Sequence, residues 1–191
     1  MGALPKEQEE LAFTYADYKE WELDEGERFE LIHGEAFAMS SPNTRHQLIF
    51  TELFGQFFVF LRGKPCKVLS SPFDVRLFYE EDESDDTVVQ PDIMVICDEK
   101  KLGTEGCRGA PDLVIEILSP SNTAIEMERK LKLYREAKVR EYWVVDPVNK
   151  GLTVYSFADG IIKGNTYGST DTVLVTVLPG LEISLEQVFS E

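Results

Sequence analysis

The sequence lacks any apolar run that approaches the roughly 20 residues needed to cross a membrane. Its first ten residues, MGALPKEQEE, also lack the apolar segment of a secretory signal peptide. It shows no internal repeat and no change in composition that would mark a domain boundary. We therefore expect a cytoplasmic protein that folds as one domain over residues 1–191, with a flexible segment at residues 1–12.

Cysteines are few and irregularly placed. The three cysteines are Cys66, Cys97 and Cys107, and none belongs to a Cys-x-x-Cys or Cys-x-His pair. An odd number without regular spacing fits a reducing compartment better than a disulfide framework. We therefore expect unpaired cysteines.

Positive charge is scarce as well. The chain has 19 Lys and Arg residues against 35 Asp and Glu residues, which gives a formal net charge of −16. A chain this acidic does not attract a phosphate backbone through its overall electrostatic field. Nucleic-acid binding would need a local basic patch or a divalent metal ion.

The most informative stretch is a strand–helix–strand unit between Pro111 and Pro147. A run of Val, Ile and Leu, interrupted only by Glu116, predicts a strand buried on both faces. Polar N-cap residues, a helical period and a second apolar run follow it. Such units join parallel strands. The predicted segments are strand 113–118, caps 119–123, helix 124–137 and strand 141–146.

The other segments surround this unit with further strands and helices. Their order predicts an α/β (α+β) fold, with a mixed central sheet flanked by helices and a β-rich C-terminal part. They are a helix capped by Thr14, a hairpin over 29–39 turning at His33-Gly34, a helix over 45–61, strands over 66–70, 73–78 and 88–96, a solvated acidic loop over 79–86, a hairpin over 152–167 turning at Asp159-Gly160, a strand over 173–178 and a helix over 185–189.

Three charged residues stand where the apolar pattern predicts burial: Asp92, Glu116 and Lys130. Lys130 lies at the edge of the apolar face of its helix, whereas Lys132 lies on the opposite face. Two carboxylates on neighbouring strands bind hard cations through oxygen, and a nearby lysine stabilises developing negative charge. Together they predict metal-assisted hydrolysis of a phosphodiester.

Each of the three also has an ordinary structural explanation. Asp92 follows a proline and suits a turn or cap hydrogen bond, and Glu116 suits an ion pair within the core. Lys130 suits a lysine whose stem packs while its ammonium reaches water. Considered separately the residues favour these explanations, and only their combination favours chemistry.

The order of several motifs resembles the Uma2 family, which belongs to the restriction-endonuclease-like, PD-(D/E)XK superfamily. The resemblance covers about residues 13–189. The motifs are Phe29-Glu30-Leu31-Ile32-x-Gly34-Glu35, Ser41-Pro42 with His46 just inside a helix, Pro91-Asp92, Pro111-Asp112-Leu113-Val114-x-Glu116-x-Leu118-Ser119-Pro120-Ser121, Lys130-x3-Tyr134 and Glu141-Tyr142-Trp143-x-Val145-Asp146-Pro147.

The resemblance implies a Mg²⁺-dependent nuclease acting on DNA, with Mn²⁺ as a possible substitute and a homodimer as the assembly. Asp92 and Glu116 match the metal-binding acids, and Lys130 matches a catalytic lysine that has moved to the following helix. Glu30 matches a further acidic residue of the site. His46 and Glu35 match supporting positions. The chain departs from the family pattern at Lys138, where a glycine is usual after the helix.

Two other functions fit the same sequence. One is a non-catalytic dimerising or adaptor protein that keeps the nuclease fold and uses Tyr142, Trp143 and Tyr155 at an interface, although core packing explains these rings more simply. The other is hydrolysis of a small phosphoester. For the nuclease, we expect a local basic rim around an acidic metal pocket, formed by Arg62, Lys64, Lys67, Arg129 and Lys130.

Overall fold

The computed structural model describes residues 12–120, 122–158 and 161–190, with the side chain of residue 158 left aside. The predicted flexibility of residues 1–12 falls almost wholly outside these ranges. The predicted cap at Ser121 and the predicted turn at Asp159-Gly160 also lie outside the described residues. The described elements confirm an α+β fold with mixed sheets.

The helices are α1 (Tyr15–Lys19), α2 (Thr44–Leu61), α3 (Ala124–Glu136) and α4 (Leu185–Val188). The strands are β1 (Phe29–Ile32), β2 (Glu35–Ala38), β3 (Lys67–Ser70), β4 (Val75–Arg76), β5 (Val88–Val89), β6 (Ile93–Ile96), β7 (Cys107–Arg108), β8 (Leu113–Ile117), β9 (Glu141–Asp146), β10 (Gly151–Ala158), β11 (Ile161–Gly168), β12 (Thr172–Leu174) and β13 (Glu182–Ser184).

Two sheets of the described chain organise the molecule. The larger has the strand order β11-β10-β9-β8-β6-β3, and β8 and β9 are parallel, as the strand–helix–strand unit predicts. The smaller has the order β2-β1-β5-β4-β7, and β12 pairs separately with β13. The larger sheet is mixed because its other neighbouring strands run antiparallel.

The central strands of the larger sheet, β6, β8 and β9, are buried on both faces and alternate between two cores, whereas β11 is mostly exposed. On β8, Leu113, Ile115 and Ile117 face the core formed with α2 and α4. Val114 faces the opposite core, where Leu133 and Tyr134 of α3 pack with residues of the smaller sheet. Since side chains alternate along a strand, Glu116 shares the face of Val114 and is directed towards α3.

Local signals placed several elements correctly. Thr14 and Asp17 form a reciprocal capping box at α1, and Asn43 caps α2. His33 and Gly34 both have positive φ, at 49° and 78°, as a tight hairpin turn between β1 and β2 requires. Thr14 and His33-Gly34 confirm the predicted cap and the predicted turn, and Asn43 caps a helix that begins one residue before its predicted start.

The strand predicted over 88–96 is wrong as one element. The chain forms β5 and β6, which belong to different sheets, and breaks between them at residues 90–92. Pro91 cannot donate a ladder hydrogen bond, which explains the break. Asp92 therefore lies in the bend just before β6 and not inside a strand.

Two further expectations need correction. The acidic loop is not solvated throughout, because the carboxylate of Asp85 is buried and paired with the guanidinium of Arg76. The strand predicted over 173–178 is shorter, since β12 ends at Leu174. The short strands β7 and β13 carry too few residues to show a period, and they were not predicted.

The expectation of unpaired cysteines is wrong for two of the three. Cys66 and Cys97 form a disulfide across β3 and β6. They adjoin the register pair Lys67–Ile96, so the antiparallel ladder brings them together. Cys107 is a buried thiol, and burial raises its pKa to about 12. The pairing depends on strand register, which cysteine spacing does not reveal.

The aromatic residues considered for an interface lie mostly in the core. Tyr142 and Trp143 are buried, and Tyr155 stacks on Tyr142. The core explanation of these rings is therefore confirmed for Tyr142 and Trp143. None of the described helices is long and apolar enough to span a membrane.

Candidate active site

Glu116 and Lys130 meet because β8 and α3 pack face to face. Lys130 donates to Oε1 of Glu116 at 2.8 Å. The hydroxyl of Tyr134, one turn further along α3, donates to the same oxygen at 2.6 Å. The side chain of Lys130 is 20% exposed, which excludes a lysine that merely reaches out into water. Lys132, by contrast, is exposed and pairs with Glu128.

Glu30 enters the site from the smaller sheet. It is buried on β1 and accepts a hydrogen bond from the backbone N–H of Gln90 at 3.1 Å. Lys130 donates to Glu30 as well, at 3.1 Å. One ammonium thus bridges two carboxylates that come from different sheets.

Asp92 is held from two sides at the bend before β6. Its Oδ2 accepts the backbone N–H of Ile117 at 2.8 Å and lies 3.2 Å from Nε2 of His46. His46 is buried on the first turns of α2, directly after the cap formed by Asn43. The fixed carboxylate therefore faces the end of β8 that carries Glu116.

A cavity of about 500 Å³ collects these groups. Its wall includes Glu30, His46, Asp92, Glu116 and Lys130. Glu35 is exposed on β2 and is not part of the wall. The structure therefore brings together five of the six residues singled out in the sequence, and their catalytic roles stay a prediction.

The basic rim expected from the sequence is only partly present. Arg129 and Lys130 line the cavity, and Arg28, which the sequence did not indicate, joins them. Arg62, Lys64 and Lys67 are not part of the wall. They stand at the C-terminal end of α2 and the start of β3, far from the cap of α2. Their proposed contribution to the rim is wrong.

Burial and charge set the protonation of the site. Burial raises the pKa of Glu116 to about 7, and Lys130 opposes this rise while Glu30 and Asp92 add to it. Burial alone would lower the pKa of Lys130, but the carboxylates of Glu116 and Glu30 outweigh it and hold that pKa well above its ordinary value. Lys130 is therefore charged at neutral pH.

Carboxylate oxygen is the type of donor that a hard divalent cation prefers, but the described residues do not form a complete metal cage. Within residues 12–120, 122–158 and 161–190, no three His, Cys, Asp or Glu side chains are grouped as a metal site. Mg²⁺, however, usually takes only one or two protein carboxylates and keeps several waters. Oδ1 of Asp92 and Oε2 of Glu116 accept no hydrogen bond from any described residue, so both oxygens are available.

Two contributors were missed at the level of sequence. Tyr134 entered the prediction as part of the Lys130-x3-Tyr134 motif, with no role in the site, although a buried tyrosine hydroxyl needs a partner and Lys130 lies four residues before it. The backbone N–H of Gln90 gave no signal, because it holds Glu30 only once β1 and β5 are paired. Burial of Tyr134 raises its pKa well above the ordinary value, so the hydroxyl remains a donor.

Comparison with known proteins agrees with this architecture. The family model Uma2, described as "Putative restriction endonuclease", matches residues 15–186. An uncharacterized protein of Synechocystis sp., slr1290, is 26% identical over 140 residues, which cover 73% of this chain and 71% of that protein.

A solved structure shares the fold. It is the crystal structure of a putative nuclease belonging to DUF820 from Anabaena variabilis, with a TM-score of 0.74 and 19% sequence identity. The match covers 93% of this chain and 97% of that chain. At this identity the likeness concerns the fold alone.

Proposed function

The chain belongs to the Uma2 family, and we propose that it is a metal-dependent endonuclease that hydrolyses phosphodiester bonds of DNA. The observation that supports this most directly is the meeting of Asp92, Glu116, Glu30 and Lys130 on one cavity. These residues come from two strands, a bend and a helix, and Lys130 and Glu30 are 100 residues apart. A buried group of this kind is costly to maintain for stability alone.

Each residue has a distinct proposed role. Asp92 and Glu116 would hold Mg²⁺ or Mn²⁺, which would supply an activated water and polarise the phosphate oxygens. Lys130 stabilises negative charge that develops on the phosphate. Glu30 accepts a second hydrogen bond from the ammonium of Lys130 and is the further acidic residue of the site. His46 fixes the orientation of the Asp92 carboxylate through their contact at 3.2 Å.

The charge of the site supports a divalent cation. Three carboxylates, Glu30, Asp92 and Glu116, share the cavity with one bridging ammonium. Glu126, Arg28 and Arg129 also line the cavity, so four carboxylates face three cations when all are ionised, and the remaining negative charge favours a bound cation. The raised pKa of Glu116 is the electrostatic consequence of that excess together with burial.

The assembly we propose is a homodimer, and its proposed contact is the exposed face of α2. Leu48, Phe58 and Val59 present large apolar side chains on this face. The adaptor alternative has lost the interface first considered for it, because Tyr142 and Trp143 are buried. The metal requirement of the purified protein separates the two functions.

The test compares two lysines of the same helix. Lys130→Met should lower the rate of plasmid nicking with Mg²⁺ or Mn²⁺ by at least about 100-fold, the scale of one lost charge-stabilising donor. Lys132→Met, which alters an exposed lysine two residues away, should leave the rate unchanged. EDTA should abolish cleavage by the wild type. Cleavage that survives EDTA, or equal rates in the two variants, would refute the proposed site.

A further inference from the structure

Several segments of the chain form the wall of the cavity. Its wall comes from the segment after β2, the first half of α2, the loop after β3 and the first half of α3. A volume of about 500 Å³ lies within the range of sites that enclose one small molecule. A single nucleotide fits such a space.

The cavity wall has few cationic side chains that could bind phosphate groups. Arg28, Arg129 and Lys130 are the Lys and Arg residues in the cavity wall. Lys130 is engaged by Glu30 and Glu116, which leaves two arginines for phosphates. Proteins that bind duplex DNA tightly contact roughly six to ten phosphates. With a net charge of −16, this chain needs another source of affinity.

Aromatic rings and a guanidinium group in the cavity wall could supply this affinity by stacking on bases. Phe50 stacks on Phe54 with ring centroids 5.5 Å apart, and Phe50 also forms part of the cavity wall. The guanidinium of Arg129 lies 3.7 Å from the ring centre of Phe37. Its Nε is buried and has no hydrogen-bond partner among the described residues. Unpaired bases stack on such planes without sequence preference.

We propose that the cavity binds single-stranded nucleic acid, with an unpaired base stacked at Phe50 and a phosphate held by Arg129. The preferred substrate of the nuclease is then a single strand or an unpaired region, and intact duplex binds more weakly. This inference rests on the proposed nuclease function and names its substrate class. It explains how so acidic a protein can hold a nucleic acid through few ionic contacts.

Binding is measured by fluorescence anisotropy, which does not depend on cleavage. The probes are a labelled eight-nucleotide oligothymidylate and a blunt duplex of 12 base pairs, in EDTA and in parallel with Ca²⁺. The single strand should bind at least about 10-fold more tightly. With two arginines on phosphates, its salt slope should be about −1.4, at roughly −0.7 per phosphate for single strands.

Matched variants locate the contact. Phe50→Leu should weaken single-strand binding roughly 5- to 100-fold, the loss expected for one stacked base. Phe60→Leu is the control, because Phe60 is also a partly buried ring of α2 packed on the same core but lies outside the cavity. Arg129→Gln should reduce the salt slope by about 0.7. Thermal melts by circular dichroism identify any variant that fails to fold.

The outcomes test the single-strand binding site separately from the proposed nuclease function. Duplex that binds as tightly as single strand, or equal losses in Phe50→Leu and Phe60→Leu, overturns the substrate class. Plasmid nicking in that case leaves the nuclease function intact. Single-strand binding at Phe50 without any metal-dependent cleavage supports the binding site and refutes only the proposed nuclease function. No binding of either probe in both conditions overturns the inference.

Discussion

Lys130 is the residue on which the site depends. Its ammonium contacts Glu116, 14 residues earlier, and Glu30, 100 residues earlier. Removing the lysine would leave two buried carboxylates facing each other, which is more costly than losing a surface pair. The same contacts that stabilise the fold therefore fix the geometry of the proposed chemistry.

The pKa of Glu116 makes a prediction for stability. Burial raises this pKa from 4.5 to about 7 in the folded protein. The folded state therefore binds the proton more tightly than the unfolded state. The stability that this group contributes is fully present below about pH 4.5 and is lost as the pH rises through about 7. In EDTA, the free energy of unfolding of the wild type should fall over this range relative to Glu116→Gln.

Urea denaturation at intervals between pH 4.5 and pH 8 gives this difference. Glu22→Gln, an exposed glutamate outside the cavity, reports the effect of removing one carboxylate from the surface. A difference between wild type and Glu116→Gln that stays constant over the range would contradict the assignment of the raised pKa to burial.

At the scale of elements, the sequence predicted what depends on local pattern. The caps, the period of α3 and the alternation around Glu116 are local, and they placed Lys130 on the face that meets β8. The strand pairings are not local. Neither the disulfide of Cys66 nor the contact of Glu30 with Lys130 could be derived, because each depends on which strands become neighbours. Glu30 was predicted as a site residue only from the resemblance to a family, and its contact with Lys130 in the structure explains why it belongs to the site.

Lys138, which stands where the family pattern usually has glycine, lies at the C-terminal end of α3. Lys138 has a φ of 63°, and its N–H donates to the carbonyl of Arg135 while Val139 N–H donates to that of Tyr134. This is the hydrogen-bond pattern of a Schellman ending, where glycine is preferred. Lys138→Gly should therefore raise the free energy of unfolding by about 1 kcal/mol.

The control places the same residue type inside the helix. Lys132→Gly should lower the free energy of unfolding by about 1 kcal/mol, since glycine is unfavourable in a helix interior. Both values come from urea denaturation at one pH. A loss of stability in Lys138→Gly would show that contacts of the lysine side chain outweigh the backbone preference.

For the whole molecule, charge and exposed apolar surface oppose each other. A net charge of −16 makes two copies repel, and the repulsion weakens as salt shortens the Debye length to about 10 Å at 0.1 M. The exposed face of α2 favours association, because Leu48, Phe58 and Val59 surround Gly55, which allows close approach. Glu52 and Arg62 lie on the same exposed face and have opposite charge.

This balance predicts a homodimer that tightens with salt, in contrast to nucleic-acid binding, which weakens. Sedimentation velocity at about 50 mM and about 300 mM salt should show the sedimentation coefficient shift towards the dimer at the higher concentration, because screening removes repulsion. Val59→Glu adds charge to the apolar contact and should remain monomeric at both concentrations. Val148→Glu, an equally exposed valine in the turn after β9, adds the same charge elsewhere and should still dimerise. If the two variants behave alike, net charge alone governs association and the face of α2 is not the contact.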